Sequence, residues 1–208
     1  QRKLNKQTIT TEHDMLAVNE LKFFYQNPRV YSVLRPIDGI EPTQEEIFEV
    51  MSHQEHVKDL KKDIKSTGGL TEAVIVKKNT MEVVEGNSRL AAYRLLYDES
   101  PMDWTEISCE ILPEEITENQ IHELIGKVHM SGKKKWDPFE EAGWLWRLSN
   151  EENKTMPELK QLFGWSSDKI KNYIKTYQFM LDKNLTEKSE FSHYLVLNTN
   201  PHIKKLKK

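Results

Sequence analysis

The sequence contains a single cysteine, Cys109, in 208 residues. One thiol excludes a disulfide framework within the chain and leaves no cysteine cluster for structural zinc, so we expect a reducing compartment. The sequence also lacks an apolar run of about 18 residues, the length that predicts a membrane-spanning helix, and it has no signal-like apolar segment near its start. We therefore predict a cytoplasmic protein with no membrane partner.

The charged residues are distributed unevenly along the chain. Residues 1–132 carry 15 Lys and Arg against 23 Asp and Glu, a net charge of −8, whereas residues 133–208 carry 15 against 10, a net charge of +5. The sign changes at the three lysines of residues 133–135, and it predicts two domains, 1–132 and 133–208. A basic second domain indicates a nucleic-acid partner. The alternative is that its lysine-rich segments are solvated surface.

Residues 81–97 predict a strand, a tight turn at Gly86 and a helix with Arg89 in its first turn. Backbone N–H groups at the start of a helix attract anions, and a guanidinium can bind a phosphate through two parallel hydrogen bonds. The pattern therefore predicts a phosphate site. The alternative is structural, with Gly86 needed for packing and Arg89 paired with a carboxylate such as Glu85.

The rest of the first domain predicts a mixture of helices and strands. Thr43 and Glu46 match the capping box that starts a helix, and apolar runs predict strands over residues 72–78 and 107–112. We expect a helix over residues 116–125, a last short strand over residues 128–130, and no regular structure in residues 1–13. This mixture predicts an α+β fold.

From Asp137 onward the pattern is purely helical, with Asp137 and Pro138 placed as N-cap and first helical residue. A short helix that ends at Gly164 and a longer one after Ser166 predict a helix-turn-helix. The alternative is a small helical bundle with a solvated polar face. We assign contacts with DNA phosphates and bases to the polar side chains of the second helix. They are Ser167, Lys169, Lys171, Asn172 and Lys175.

Five segments, in this order along the chain, resemble the ParB-like family of partition proteins, which shares its N-terminal fold with sulfiredoxin. They are Asn27-Pro28-Arg29, residues 60–76, the box of residues 85–92 (Glu-Gly-Asn-Ser-Arg-Leu-Ala-Ala), residues 137–142 and the helix-turn-helix over 155–177. The resemblance implies a small mixed-sheet N-terminal domain followed by an all-α helix-turn-helix domain.

In function, the resemblance implies a homodimer that binds DNA on the nucleoid and responds to CTP or another nucleotide with Mg²⁺. Such a protein acts in partition or transcriptional regulation of a plasmid, phage or mobile element. With this expectation we assign Glu85 as a candidate catalytic base, and a further set of residues as nucleotide or phosphate ligands. They are Arg29, Gly86, Asn87, Ser88, Arg89, His129 and Lys133.

The sequence departs from the family pattern inside the box and after it. Asn87 and Ser88 replace an acidic residue and an arginine, and Met130 occupies a position where the family has an asparagine that helps to hold Mg²⁺ and phosphate. A thioether does not supply the oxygen ligand that Mg²⁺ prefers, so we assign no metal ligand. Two alternatives therefore stay open: a ParB-like nuclease, NTPase or phosphoryl-transfer enzyme, and an adaptor that has lost nucleotide binding.

Overall fold

The structure is a computed structural model. It describes residues 1–4, 7–31, 34, 40–130, 136–185 and 187–199. The chain divides into two compact units, residues 1–125 and 126–208. The domain boundary predicted between residues 132 and 133 lies outside the described residues.

The first unit contains seven strands and the first four helices among its described residues. The strands are β1 (Arg2–Leu4), β2 (Gln7–Ile9), β3 (Glu12–Ala17), β4 (Lys22–Phe23), β5 (Val74–Lys77), β6 (Glu82–Glu85) and β7 (Glu106–Leu112). The helices are α1 (Pro28–Tyr31), α2 (Gln44–Ser52), α3 (Glu55–Thr67) and α4 (Asn87–Glu99). The division between the two units falls within α5 (Glu118–Met130).

Five strands form one mixed sheet in the order β3-β7-β5-β6-β4. β5 and β6 pair as an antiparallel hairpin with a bulge between Ile75 and Val76, while β5 also pairs with β7 in parallel. The parallel pairing requires a crossover, and α4 lies in that connection. The predicted α+β class with a mixed sheet is therefore confirmed.

The core of the first unit forms where helices cover this sheet. Val74, Val76 and Val83 are fully buried in the strands, and Leu90 and Leu96 are fully buried in α4. The predicted capping box starts α2 as expected, since Thr43 Oγ1 accepts a bond from Glu46 N while Glu46 Oε2 accepts one from Thr43 N. These contacts fix the scaffold from which the β6–α4 turn is presented.

The expectation of no regular structure in residues 1–13 is wrong. β1 and β2 form an antiparallel pair, and Leu4 is buried. Arg2 binds Glu110 of β7 through two parallel hydrogen bonds, Nε to Oε1 at 2.7 Å and Nη2 to Oε2 at 2.6 Å. The polar composition of residues 1–13 does not predict the β1–β2 pair, because its stabilising partner, Glu110, lies 108 residues away in sequence.

The strand predicted over residues 128–130 is also wrong, because α5 continues through Met130. Ile121, Leu124, Ile125 and Val128 follow the i, i+3, i+4, i+7 spacing of a helix. The short apolar run at its end therefore belongs to the helical pattern that precedes it.

The second unit is helical in its described residues. It contains α6 (Pro138–Asn150), α7 (Met156–Phe163), α8 (Ser167–Asp182), a 3₁₀ turn (Lys188–Glu190) and α9 (Phe191–Thr199). Asp137 caps α6 as predicted, accepting a bond from Glu140 N at 2.9 Å. One of its hydrophobic clusters consists of Phe139, Ala142, Tyr177, Met180 and Phe191.

The lack of long apolar runs and the single cysteine in the sequence each have a counterpart in the structure. No helix among the described residues is both long and apolar enough to span a membrane. Cys109 is fully buried, and burial raises the pKa of its thiol to about 12, so the thiol stays protonated at neutral pH.

We expect the Arg2→Ala variant to lose about 1–2 kcal/mol of unfolding free energy near neutral pH, because it removes charge-assisted bonds to a buried carboxylate. The hydrogen bond from Arg2 holds the pKa of Glu110 below its ordinary value of 4.5. A depressed carboxyl pKa stabilises the folded state above that ordinary value, and the contribution is lost as the pH falls through the lowered pKa. Denaturation measured across this range should therefore show the variant and the wild type converging in acid.

The control is Lys62→Ala, which removes an exposed ion pair with Asp59. We expect it to change stability by less than about 0.5 kcal/mol at every pH. A pH-independent loss in Arg2→Ala would contradict the assigned role of Glu110.

Candidate functional site

The turn between β6 and α4 requires the glycine at position 86. Gly86 has φ +102° and ψ 21°, a left-handed conformation that side chains disfavour. A Cβ built there would lie 2.8 Å from Val74 Cγ1 and 3.1 Å from Arg89 Nε. Glycine is therefore demanded both by the backbone and by the neighbouring side chains.

Arg89 is buried, and its guanidinium forms contacts inside the first unit. Nη1 donates to the carbonyl oxygens of Glu72 at 2.6 Å and Ala73 at 2.9 Å, just before β5. Nη2 donates to the Glu85 carboxylate, which is itself 5% exposed at the end of β6. One side chain thus joins the beginning of β5, the end of β6 and the beginning of α4.

Asn87 is 2% exposed, and its side-chain amide bonds to backbone on both sides. Its Oδ1 accepts from Phe24 N at 3.0 Å, and its Nδ2 donates to Val83 O at 2.8 Å. The amide therefore ties the segment after β4 to β6. That segment leads directly into α1.

α1 carries Arg29, which is half-buried. Asn27 Oδ1 accepts a bond from Arg29 N at 3.1 Å and so holds the first turn of this short helix. Through Phe24 and Asn87, the same segment is connected to the beginning of α4. The structure thus links the Asn-Pro-Arg segment to the box by hydrogen bonds.

Ser88 lies in the first turn of α4 and is 7% exposed. Its Oγ lies 2.9 Å from Nε2 of His56, an exposed residue in the first turn of α3. His56 could not be found from the sequence, because it lies 32 positions away on a different helix. A lone histidine on a charged helix carries no local signal for such a contact.

The remaining predicted phosphate ligands are His129 and Lys133. His129 is buried in the second unit, where its ring stacks on Trp136 with centroids 4.4 Å apart. Lys133 lies outside the described residues. Within the part of the chain that is described, no group of three or more His, Cys, Asp or Glu side chains is arranged to hold a metal ion.

α7 and α8 are joined by three residues, and each helix end is stabilised locally. Gly164 ends α7 with φ +65°, and its N–H donates to Lys160 O at 2.9 Å. Ser166 caps α8 by accepting from Lys169 N at 3.3 Å. The two helices and the glycine turn thus occur over the residues where the sequence predicts them.

The face of α8 opposite the core is polar and exposed. Ile170 and Tyr177 point into the core, and at about 100° per residue Lys171 and Lys175 lie on the opposite side. Both lysines are exposed, Ser167 is half-buried on the same face, and Asn172 lies at its flank. We call this surface the α8 polar face. It also includes Asp168, which is exposed and offsets one positive charge.

Lys169 lies away from the α8 polar face. Its Nζ lies 3.2 Å from the centroid of the Trp165 ring and 5.4 Å from that of Tyr173, a cation–π arrangement. The structure therefore groups Lys171 and Lys175 together and places Lys169 against the aromatic side of the helix.

The chain is similar to solved structures of ParB proteins. A Pnob8-like ParB-N domain is 12% identical, over 97% of this chain and 98% of that one, with a TM-score of 0.49. The C-terminally truncated chromosome-partitioning protein ParB of Caulobacter crescentus, complexed to the centromeric parS site, is 14% identical, over 93% and 88%, with a TM-score of 0.48. The same truncated protein complexed with CTP-gamma-S is 14% identical, over 94% and 96%, with a TM-score of 0.37.

No protein-family model matches this chain, and no curated protein matches it significantly. Identities of 12 to 14% and TM-scores below 0.5 are too low to assign a function to this chain, so its own residues have to support one.

We expect Gly86→Ala to destabilise the protein by about 2–4 kcal/mol, since it combines left-handed strain with a clash against Val74. Gly68→Ala is a matched control, because Gly68 has φ +72° but an added Cβ meets nothing within 4 Å. Strain alone should cost that variant about 1 kcal/mol. Chemical denaturation measures both losses, and equal losses would contradict the close approach of Val74.

Proposed function

We propose that this chain is a ParB-like protein whose helical unit binds DNA and whose mixed-sheet unit binds a nucleotide, with CTP as the first candidate. It would act as a nucleoid-associated homodimer in partition or transcriptional regulation of a plasmid, phage or mobile element. The observation that carries the proposal is the α8 polar face, presented after a glycine turn in a helix-turn-helix order.

The α8 polar face has the chemistry that DNA binding requires. Lys171 and Lys175 are exposed one helical turn apart, so both can contact phosphates along one groove. Asn172 at the flank is a residue type that can bond adenine through two hydrogen bonds. The net charge of +5 in residues 133–208 adds attraction that does not depend on DNA sequence.

Nucleotide binding is supported by the β6–α4 turn. A glycine at the N-cap has no side chain to cap the first-turn amides, and no side-chain cap bond is formed at Gly86. Those amides favour a phosphate group. The connection of Arg29 to this turn through Asn87 and Phe24 supplies a cationic side chain on the adjoining segment.

A second candidate function is that of an adaptor that has kept the fold without a nucleotide. The internal bonds of Arg89 favour it, because the guanidinium that the sequence assigns to phosphate is bonded to Glu85 and to two carbonyls. In that case Arg89 stabilises the fold and no triphosphate is bound.

Binding of duplex DNA, measured by fluorescence anisotropy, should weaken steeply with salt. Replacing both Lys171 and Lys175 with alanine should lower the affinity and reduce the slope of log K against log salt by about 1.8, or about 0.9 for each phosphate contact. The double variant Lys62→Ala/Lys65→Ala on α3 removes the same charge from the first unit and should leave the slope unchanged. Equal effects of the two double variants would contradict binding through the α8 polar face.

Calorimetric titration with each of the four nucleoside triphosphates and Mg²⁺ distinguishes the two candidate functions. We expect saturable binding of CTP, weakened at least tenfold by Arg29→Ala because a cationic phosphate ligand is lost. Lys58→Ala, which removes a lysine paired with Glu55 on the exposed side of α3, is the control and should bind as the wild type does. The absence of binding by all four nucleotides would favour the adaptor.

A further inference from the structure

A serine and a histidine meet at the β6–α4 turn in a geometry that the proposed binding function does not use. Ser88 Oγ lies 2.9 Å from His56 Nε2, within the range of a good hydrogen bond. In the neutral imidazole with its proton on Nδ1, Nε2 is an acceptor and takes the proton of the hydroxyl. This is the contact by which a histidine activates a serine nucleophile.

The chain offers an internal contrast in Ser52 and His53. Their side chains lie 3.4 Å apart, but Ser52 Oγ donates its proton to Glu49 O at 2.9 Å. His53 Nδ1 lies 2.7 Å from the same carbonyl. In that pair both side chains bond to the backbone, whereas the contact between Ser88 and His56 joins the hydroxyl oxygen directly to an imidazole nitrogen at 2.9 Å.

The surroundings of Ser88 hold it in place. Before it, Gly86 adopts a left-handed conformation and the Asn87 side chain forms two hydrogen bonds to backbone. After it, the Arg89 side chain is bonded to the carbonyl oxygen of Glu72. The hydroxyl is thus carried on a rigid strand–turn–helix segment, which favours a defined attack geometry. The residue is buried, with 7% of its surface exposed.

We propose that Ser88, activated by His56, is a nucleophile that accepts the terminal phosphoryl group of a bound nucleoside triphosphate. The proposal rests on the nucleotide binding proposed above. Ser88 Oγ forms a bond to the γ-phosphorus, the bond from that phosphorus to the bridging oxygen breaks, and the nucleoside diphosphate leaves with the electron pair. The hydroxyl proton passes to His56 Nε2.

The product, a phosphoserine at position 88, is stabilised by its surroundings. A phosphoserine in the first turn of a helix carries negative charge next to the positive end of the helix dipole, where such charge is stabilising. The imidazolium that results from the proton transfer lies beside the same oxygen and adds a charge of the opposite sign. Both features favour retention of the phosphate on Ser88.

The first arm of the test measures the reactivity of Ser88 in the absence of any nucleotide. A fluorophosphonate probe reacts with an activated serine, forming an oxygen–phosphorus bond and releasing fluoride. We expect peptide mapping to find the probe on Ser88, and His56→Gln to slow labelling by about 100-fold or more, as expected for loss of a general base. His53→Gln should not change the rate, and Ser52 should stay unlabelled.

The second arm incubates the wild-type protein with each nucleoside triphosphate and Mg²⁺ and locates phosphate by mass spectrometry. We expect one phosphate, on Ser88, and its loss in His56→Gln but not in His53→Gln. Circular dichroism melting checks that the variants are folded. The wild-type peptide maps need no variant, so they remain decisive if Ser88→Ala does not fold.

The outcomes separate this proposal from the binding proposal. Nucleotide binding by calorimetry with Ser88 left unmodified in both arms overturns the nucleophile and leaves the binding function standing. Labelling of Ser88 by the probe without binding of any nucleotide supports an activated serine but overturns both the nucleotide site and phosphoryl transfer from a nucleotide. Modification of serines other than Ser88 overturns the proposal outright.

Discussion

The buried ion pair between Glu85 and Arg89 is the interaction on which the first unit most depends. Arg89 reaches from the first turn of α4 to the end of β6 and to the two carbonyls that precede β5. It therefore joins the hairpin strands to the helix that crosses back over the sheet. Removing one partner of such a pair leaves a buried charge uncompensated, at a cost of about 3–5 kcal/mol. The left-handed Gly86 is required because any side chain there would press on Arg89 and Val74.

The polar side chains of residues 86–89 form different contacts from those predicted from the sequence. The sequence assigns its polar side chains to phosphate, yet Arg89 bonds Glu85, Asn87 bonds the backbone of Phe24 and Val83, and Ser88 contacts His56. The groups suited to a ligand are therefore the first-turn amides of α4 and side chains from other elements. The polar side chains of the box thus stabilise the fold. Any chemistry at this turn has to involve residues of neighbouring helices, as His56 of α3 does.

The features that could be predicted from the sequence are those stabilised by residues close together along the chain. The cap at Asp137, the capping box at Thr43 and the glycine that ends α7 each involve residues within a few positions of one another, and all three were predicted correctly. The missed features depend on distant partners: the β1–β2 pair is tied to Glu110, and Ser88 meets a histidine 32 residues away. The end of α5 was missed for another reason, since its short apolar run fits both strand and helix spacing.

The most direct test of the proposed function is the change in backbone amide chemical shifts when the protein is titrated with duplex DNA at low salt. The polar face of α8 combines two exposed lysines with a net positive charge in residues 133–208. We expect the largest changes in residues 167–175, with the sheet strands of the first unit unaffected. Changes confined to residues 1–125, or no change in α8 at any DNA concentration, would contradict it.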